Sequence, residues 1–204
     1  SAASDVYKRQ GLIYIQTASS MIPAKVLGPD AGDHVLDMCA APGSKTTHIA
    51  TLMGNRGSID AWDVYPHKIK LIKDNAKRLG ISIIHTEVRD SVKPLPFLYE
   101  TYDKVLLDAP CSGLGVLGHK VELRWRRKES DLSVFPPLQK QLIEQAAKYT
   151  KTGGVLVYST CTLNPDENEH IINEFLSLHS EFAPEEFNFP VLGKSLNGMM
   201  TLYP

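Results

Sequence analysis

The sequence predicts an α/β fold, a mostly parallel sheet with helices on both faces, and three observations carry that expectation. Three short apolar runs, His34-Val35-Leu36-Asp37, Val105-Leu106-Leu107 and Gly154-Val155-Leu156-Val157-Tyr158-Ser159, read as strands buried on both faces. Each leads into a turn containing a proline (Pro42, Pro110 or Pro165), which has no N–H to donate and takes the chain out of the sheet. Stretches of helical period lie between the runs, and such alternation means parallel strands joined by right-handed crossovers.

In chain order, residues 1–10 show no usable period and read as a tail. Residues 11–204 read as one domain, a length that allows a real core. Residues 16–22 open a short helix with Val26 and Leu27 on its buried side, and Gly28-Pro29-Asp30-Ala31-Gly32-Asp33 turns the chain into the first strand. A helix over 45–53 follows, then a second strand over 57–62 ending at Asp63. Pro66 fits the first turn of a helix running to Leu79. Its inward positions are Ile69, Ile72, Ala76 and Leu79, its outward ones Lys68, Lys70, Lys73 and Lys77, and Gly80 closes it. Further strands are expected over 81–86, 102–108 and 154–159, with a helix over 138–149 that turns Leu138, Leu142, Ile143 and Ala146 inward. The last helix, 166–179, carries Asp166, Glu167 and Glu169 in its first turn, where the macrodipole favours acids. Residues 113–136 have no period and are too many for a passive connection, so a functional loop is expected there. Met199-Met200-Thr201-Leu202-Tyr203 looks like a strand whose partner is missing, as in a fragment lacking the last strand of its sheet.

A net charge of −1 excludes wholesale electrostatic binding to nucleic acid and leaves only a local patch for that purpose. No run of 18 apolar residues and no basic-then-apolar leader is present, so a soluble, cytoplasmic, monomeric protein is expected. Cys39, Cys111 and Cys161 form no CxxC pair, which points to free thiols and no metal site. All of them fall at or just past a predicted strand end. Parallel strands would bring them to one sheet edge, where open α/β sheets bind ligands.

Two decoys lie on that edge. Gly113-Leu114-Gly115-Val116-Leu117-Gly118 matches a dinucleotide fingerprint by letter, but no amphipathic helix follows to hold a pyrophosphate. Gly43-Ser44-Lys45-Thr46 lacks the Gly-Lys step of a phosphate loop. The first strand-to-helix turn remains the natural cofactor seat, because Ala40, Ala41, Gly43 and Ser44 let a ligand approach the backbone at a helix N-terminus. Asp63, Asp90 and Asp108 then close successive strands. Each alone reads as a turn or cap residue; together they suit a cofactor with a ribose and an amine-bearing head.

Residues 37–47 (Asp-Met-Cys-Ala-Ala-Pro-Gly-Ser-Lys-Thr-Thr), 108–113 (Asp-Ala-Pro-Cys-Ser-Gly) and 159–168 (Ser-Thr-Cys-Thr-Leu-Asn-Pro-Asp-Glu-Asn) resemble the signature blocks of the RNA cytosine-C5 methyltransferases, a family that includes the bacterial small-subunit ribosomal RNA methyltransferase B type. The likeness runs from about Gly11 to Glu169 in order and spacing; most relatives have a second glycine at the position of Ser44. It implies a Rossmann-like methyltransferase fold with S-adenosylmethionine as methyl donor. Cys39, Ala40, Ala41, Pro42, Gly43, Ser44 and Lys45 would hold its methionine part, Asp63 its ribose and Asp90 its adenine amino group, with Asp108 between cofactor and base. It implies that Cys161 is the nucleophile and that Cys111 assists release. The partner implied is RNA, with ribosomal RNA favoured over transfer RNA.

The chemistry needs such thiols. Cytosine C5 is a poor nucleophile until a thiolate adds to C6, after which C5 can accept a methyl, lose its proton and release the thiol. A free cysteine is a few per cent thiolate at neutral pH, so the site must favour the anion, for which Lys45 and the helix after Cys161 are candidates. Asp108 with Lys45 would orient the cytosine, while Cys39 reads as a small buried hydrophobe. A different reading keeps the fold as an RNA-binding or ribosome-assembly module without turnover.

Within the long loop, Lys120, Arg124, Arg126, Arg127 and Lys128 surround Trp125, combining phosphate contacts with a stacking surface. The target cytosine must be single-stranded or flipped out for a thiol to reach C6. Reversing the charge of Arg126 and Arg127 should weaken RNA binding and flatten its salt dependence, as measured by filter binding across a salt series.

Overall fold

The computed structural model describes residues 2–116, 132–189 and 192–202. The chain divides into two compact units, Ser1–Asp108 with Gln145–Tyr158, and Ala109–Glu144 with Ser159–Pro204. The first unit is built on a five-stranded sheet of order β3-β2-β1-β4-β5, with β1 His34–Asp37, β2 Ser58–Asp63, β3 Ile84–Val88, β4 Tyr102–Asp108 and β5 Thr150–Ser159. β1 runs parallel to both β2 and β4, with Asp37 opposite Ala61 on one side and Leu106 on the other, and β2 runs parallel to β3. Val35, Leu36, Val105, Leu106 and Leu107 are fully buried, as their unbroken apolar runs require. The strand order reverses between β1 and β4, which marks their carboxyl ends as the ligand-binding edge.

The helices of this unit are α1 Ala2–Arg9, α2 Ala18–Leu27, α3 Ser44–Leu52 and α4 Pro66–Arg78. α4 takes proline in its first turn and buries Ile69, Ile72 and Ala76, as the periodicity predicts. Residues 1–10, read as a tail, contribute the helix α1, whose end is held by the Arg78 guanidinium donating to the carbonyls of Lys8 (2.8 Å) and Ile13 (3.1 Å). α2 passes through Pro23 instead of stopping before it, because Ala24 and Leu27 beyond the proline are buried in a cluster with Val35, Ile49 and Leu106.

Two strands are displaced from their expected positions. β3 begins at Ile84, not at residue 81, because the Ile81 N–H closes α4 on the Ala76 carbonyl and the Ser82 N–H is taken by Asn55 Oδ1. β5 begins at Thr150 and carries the Gly153-Gly154 pair inside it; a side chain at 154 would meet the Asp103 carbonyl at 2.8 Å.

The expected helix 138–149 is α5, Phe135–Tyr149, with Gln139, Leu142, Ile143, Ala146 and Ala147 buried and Leu138 only half-buried. The expected helix over 166–179 is broken. Pro165–Glu167 forms a single 3₁₀ turn, Asn168 leaves helical geometry at φ −124° and ψ −96°, and α6 proper is Glu169–Leu178. Met199 to Leu202 is not a strand: Met199 bridges to Leu196, beyond the small antiparallel hairpin β6 Asn188–Phe189 and β7 Gly193–Lys194.

Ile72 is wholly buried with Ala40, Ala61 and Ile69 in the cluster beneath the turn after β1. Ile72→Ala should therefore lower unfolding free energy by about 2–5 kcal/mol, read as a shift of the urea midpoint followed through the buried Trp62.

Candidate active site

The turn after β1 is built by close backbone packing. Met38 donates its N–H to the Leu106 carbonyl (3.0 Å), Ala40 to that of Trp62 (2.8 Å), and Gly43 to that of Ala40 (2.7 Å). From outside, Ser91 Oγ holds the Met38 carbonyl at 2.7 Å and Asn75 Nδ2 the Pro42 carbonyl at 3.0 Å. Gly43, at φ +94°, caps α3 in the left-handed region, and a Cβ there would stand 3.1 Å from the Ile72 Cα. The position therefore requires glycine twice over, for its backbone angle and for the contact with α4. The expected cradle of small residues at a helix N-terminus, Ala40, Ala41, Pro42, Gly43 and Ser44, is present.

Asp37 lies beneath this turn and was not singled out in the sequence. It is fully buried, its Oδ2 accepts from Thr46 Oγ1 at 2.7 Å, and its Oδ1 has no partner among the described residues. Burial pushes its carboxyl up to about 7; Thr46 opposes the shift and the nearby Asp108 adds to it. An unpartnered buried acceptor beside a glycine-lined helix start suits a ligand that carries donors, as S-adenosylmethionine does. The Cys39 thiol is pushed far above the ordinary range by burial and by the carboxylates of Asp37, Asp108 and Asp63, so it is unreactive.

Asp63 and Asp90 both perform local turn duty. Asp63 Oδ1 accepts the Tyr65 N–H at 2.9 Å, and Asp90 Oδ1 accepts the Val92 N–H at 3.3 Å. Asp63 is buried and Asp90 half-buried, each at or just past its strand end. Asp108 ends β4 and accepts from Lys45 Nζ, in the first turn of α3, at 2.6 Å. The structure thus joins Lys45 to Asp108, as expected of a pair that acts together, and the lysine's charge is met by that carboxylate.

In the second unit the two remaining cysteines meet. Cys111 Sγ and Cys161 Sγ are 3.2 Å apart, and the Cys161 N–H points at Cys111 Sγ at 3.3 Å. The hydrogen bond from Cys161, then burial, holds the Cys111 thiol far above the usual thiol range. Two thiols so close cannot both ionise readily, since each charge disfavours the next.

Buried and half-buried side chains hold the residues on either side of this pair. Glu167, expected as a macrodipole acid, is wholly buried: its Oε2 accepts the Ser112 N–H at 2.8 Å and Gln139 Nε2 at 3.1 Å, and its Oε1 accepts from Asn164 Nδ2 at 3.2 Å. Gln139 Nε2 also reaches the Pro110 carbonyl at 2.9 Å. Asn168 accepts from Thr160 Oγ1 at 2.6 Å and donates to the Thr162 carbonyl at 3.0 Å. The Ser112 and Thr162 hydroxyls join at 2.7 Å. Gly115, part of the decoy fingerprint, donates its N–H to the Cys161 carbonyl at 3.0 Å, where a Cβ would come within 2.9 Å of that oxygen. Gly115 thus serves close packing on the thiol loop.

Lys120, Arg124, Trp125, Arg126, Arg127 and Lys128 lie outside the described residues. Among the described residues no group of His, Cys, Asp and Glu could hold a metal ion, and no helix is long and apolar enough to cross a membrane.

Residues 24–204 match the family model described as 16S rRNA methyltransferase RsmB/F. The chain is 43% identical over 178 residues to the probable ribosomal RNA small subunit methyltransferase B of Bacillus subtilis, covering 87% of this chain and 40% of that protein. It is 42% identical over 169 residues to the tRNA (cytosine(72)-C(5))-methyltransferase NSUN6 of Mus musculus, covering 77% of this chain and 35% of that one. The solved structure of NSun6 from Pyrococcus horikoshii with SFG superposes with a TM-score of 0.81 at 37% identity, over 95% of this chain and 48% of that one. The chain spans less than half the length of each of these relatives. A Rossmann-like sheet with a turn of small residues after β1, paired thiols from the second and third signature blocks and a family match across nearly the whole length lead to one statement: the chain belongs to the RsmB/F family of S-adenosylmethionine-dependent methyltransferases.

Proposed function

We propose that the chain carries the catalytic domain of an RNA methyltransferase that modifies C5 of a cytosine, with small-subunit ribosomal RNA as the substrate. The observation that carries this reading is the pair of sulfurs, Cys111 and Cys161, held 3.2 Å apart. Simple methyl transfer to an amine or hydroxyl needs no thiol, whereas C5 chemistry needs one to add to C6 and a partner group to manage protons. The names of the relatives support RNA as the substrate class: two act on ribosomal or transfer RNA by their titles.

Bound S-adenosylmethionine supplies an electrophilic methyl on a sulfonium sulfur. Residues 39–45 would line its methionine part, Asp63 would accept from ribose hydroxyls, and Asp90 from the adenine amino group. Cys161, the more exposed thiol, acts as nucleophile: its sulfur bonds to C6 and the C5–C6 electron pair becomes available at C5. Bonding of Cys161 to C6 removes the partner that held the Cys111 proton, so Cys111 gives that proton to solvent. Once C5 carries the new methyl, the Cys111 thiolate takes the C5 proton, the double bond re-forms and Cys161 departs as thiolate. Asp108, fixed by Lys45, orients the base by accepting from its amino group. The basic segment around Trp125 would hold the strand through phosphate contacts and stacking.

Two measurements test this reading. Cys111→Ala incubated with ribosomal RNA and S-adenosylmethionine should leave a protein–RNA adduct on a denaturing gel, and Cys161→Ala should leave none; absence of both adduct and methylation in the unaltered protein would refute the reading. Thiols react as thiolates, so peptide-resolved iodoacetamide alkylation against pH should show Cys111 lagging well behind. Replacing Cys161 by alanine removes the largest cause of its raised pKa and should move the Cys111 midpoint to lower pH.

A further inference from the structure

The residues that flank the two cysteines are anchored separately. On one side of Cys111 the Pro110 carbonyl is held by Gln139, and on the other the Ser112 N–H is held by Glu167. Gln139 also donates to Glu167, so the arrangement closes into a loop around Cys111. On one side of Cys161 the Thr160 hydroxyl is held by Asn168, and on the other the Thr162 carbonyl is held by the same side chain. We infer that Glu167 with Gln139 is the positioning device for Cys111, and Asn168 the positioning device for Cys161, so that neighbouring residues of one block each seat one thiol, while the Ser112 and Thr162 hydroxyls, 2.7 Å apart, join the two loops. The inference rests on the roles proposed above for the two thiols.

The chemistry of the anchors supports the division. Donors from Ser112, Gln139 and Asn164 converge on the Glu167 carboxylate, a group that only accepts when ionised. An amide of the same shape would turn an N–H₂ toward at least one of those donors. Glu167 is fully buried, and so is the Gln139 side chain, hence the misfit has no water to relieve it. Asn168 works in the opposite sense: it must accept on one side and donate on the other, which a carboxylate of the same shape cannot do. Neither anchor touches a sulfur in the hydrogen bonds above; Glu167 and Gln139 fix the backbone on both sides of Cys111, and Asn168 fixes the Thr160 hydroxyl and the Thr162 carbonyl on the two sides of Cys161. A shift of about 1 Å in a reacting group can cost on the order of 10²-fold in rate.

The test uses the intact protein with Glu167→Gln, Gln139→Leu and Asn168→Asp, ribosomal RNA as substrate and Cys111→Ala as reference. Glu167→Gln and Gln139→Leu should lower kcat on the order of 10²-fold. They should leave KM for RNA and for S-adenosylmethionine near the unaltered values. They should also accumulate the covalent RNA adduct, as Cys111→Ala does. Asn168→Asp should lower kcat without adduct, like Cys161→Ala. In the free protein, iodoacetamide alkylation of Cys111 should change by at least about tenfold in Glu167→Gln while that of Cys161 stays close to its original rate. Equal disturbance of both thiols by either anchor variant, or unaltered turnover in Glu167→Gln, would overturn the assignment. If Glu167→Gln fails to fold, Gln139→Leu, which keeps the helix and most of the volume, decides the same question. If Cys111→Ala yields no adduct, the proposed roles fail, and the alkylation rates alone decide whether each anchor still governs its own thiol.

Discussion

Two sulfur atoms 3.2 Å apart hold one negative charge between them far more easily than two, and much of the second unit serves that constraint. The spacing has to be kept although the cysteines sit on separate loops with little regular structure of their own. A buried carboxylate and an amide on α5 hold the backbone on each side of Cys111, and an asparagine that breaks a helix holds the Thr160 hydroxyl and the Thr162 carbonyl on either side of Cys161. The break at Asn168 is thus a consequence of its use. A residue whose side chain must reach back to both neighbours of Cys161 cannot also continue α6 in helical geometry.

The three cysteines divide the work according to their surroundings. Cys39, half-buried, lies near the carboxylates of Asp37, Asp108 and Asp63, and desolvation together with those charges holds its thiol well above the usual range. Cys111 keeps its proton because its neighbour shares it, and Cys161 remains the more exposed of that pair. Burial, with a smaller contribution from the charge of Asp108, pushes the Asp37 carboxyl up to about 7. Lys45 answers one of these acids directly, at 2.6 Å, and in doing so ties the first turn of α3 to the end of β4.

The sheet, the strand-end cysteines and the cofactor turn were legible in the sequence because each depends on a local pattern. Unbroken apolar runs mark strands covered on both faces, and proline or glycine marks where they stop. The misplacements have local causes that no period reveals: the Ile81 and Ser82 N–H groups were already committed to a helix end and to Asn55, which delayed β3. Glu167, Gln139 and Asn168 were missed for a different reason. An acid at the start of a predicted helix and a glutamine one position from the inward face look like surface residues unless the residues they bond, 28 and 55 positions away, are known to be near. Gly115 shows the reverse case: a glycine needed for close packing is indistinguishable in letters from one needed for a phosphate, and only the lack of an amphipathic helix after it argued against the phosphate reading.

The thiol pair is also a long-range contact, with 50 residues between its members. Loops of that length close late relative to neighbouring helices, because their entropy must be overcome before any contact repays it. During synthesis there is consequently an interval in which Cys111 exists without Cys161. In that interval it lacks the hydrogen bond that most raises its pKa in the folded chain, and the Glu167 anchor has not yet been made. Reactivity at this site is thus a property of the completed fold, since the hydrogen bond that most raises the Cys111 pKa forms only when residues 111 and 161 meet.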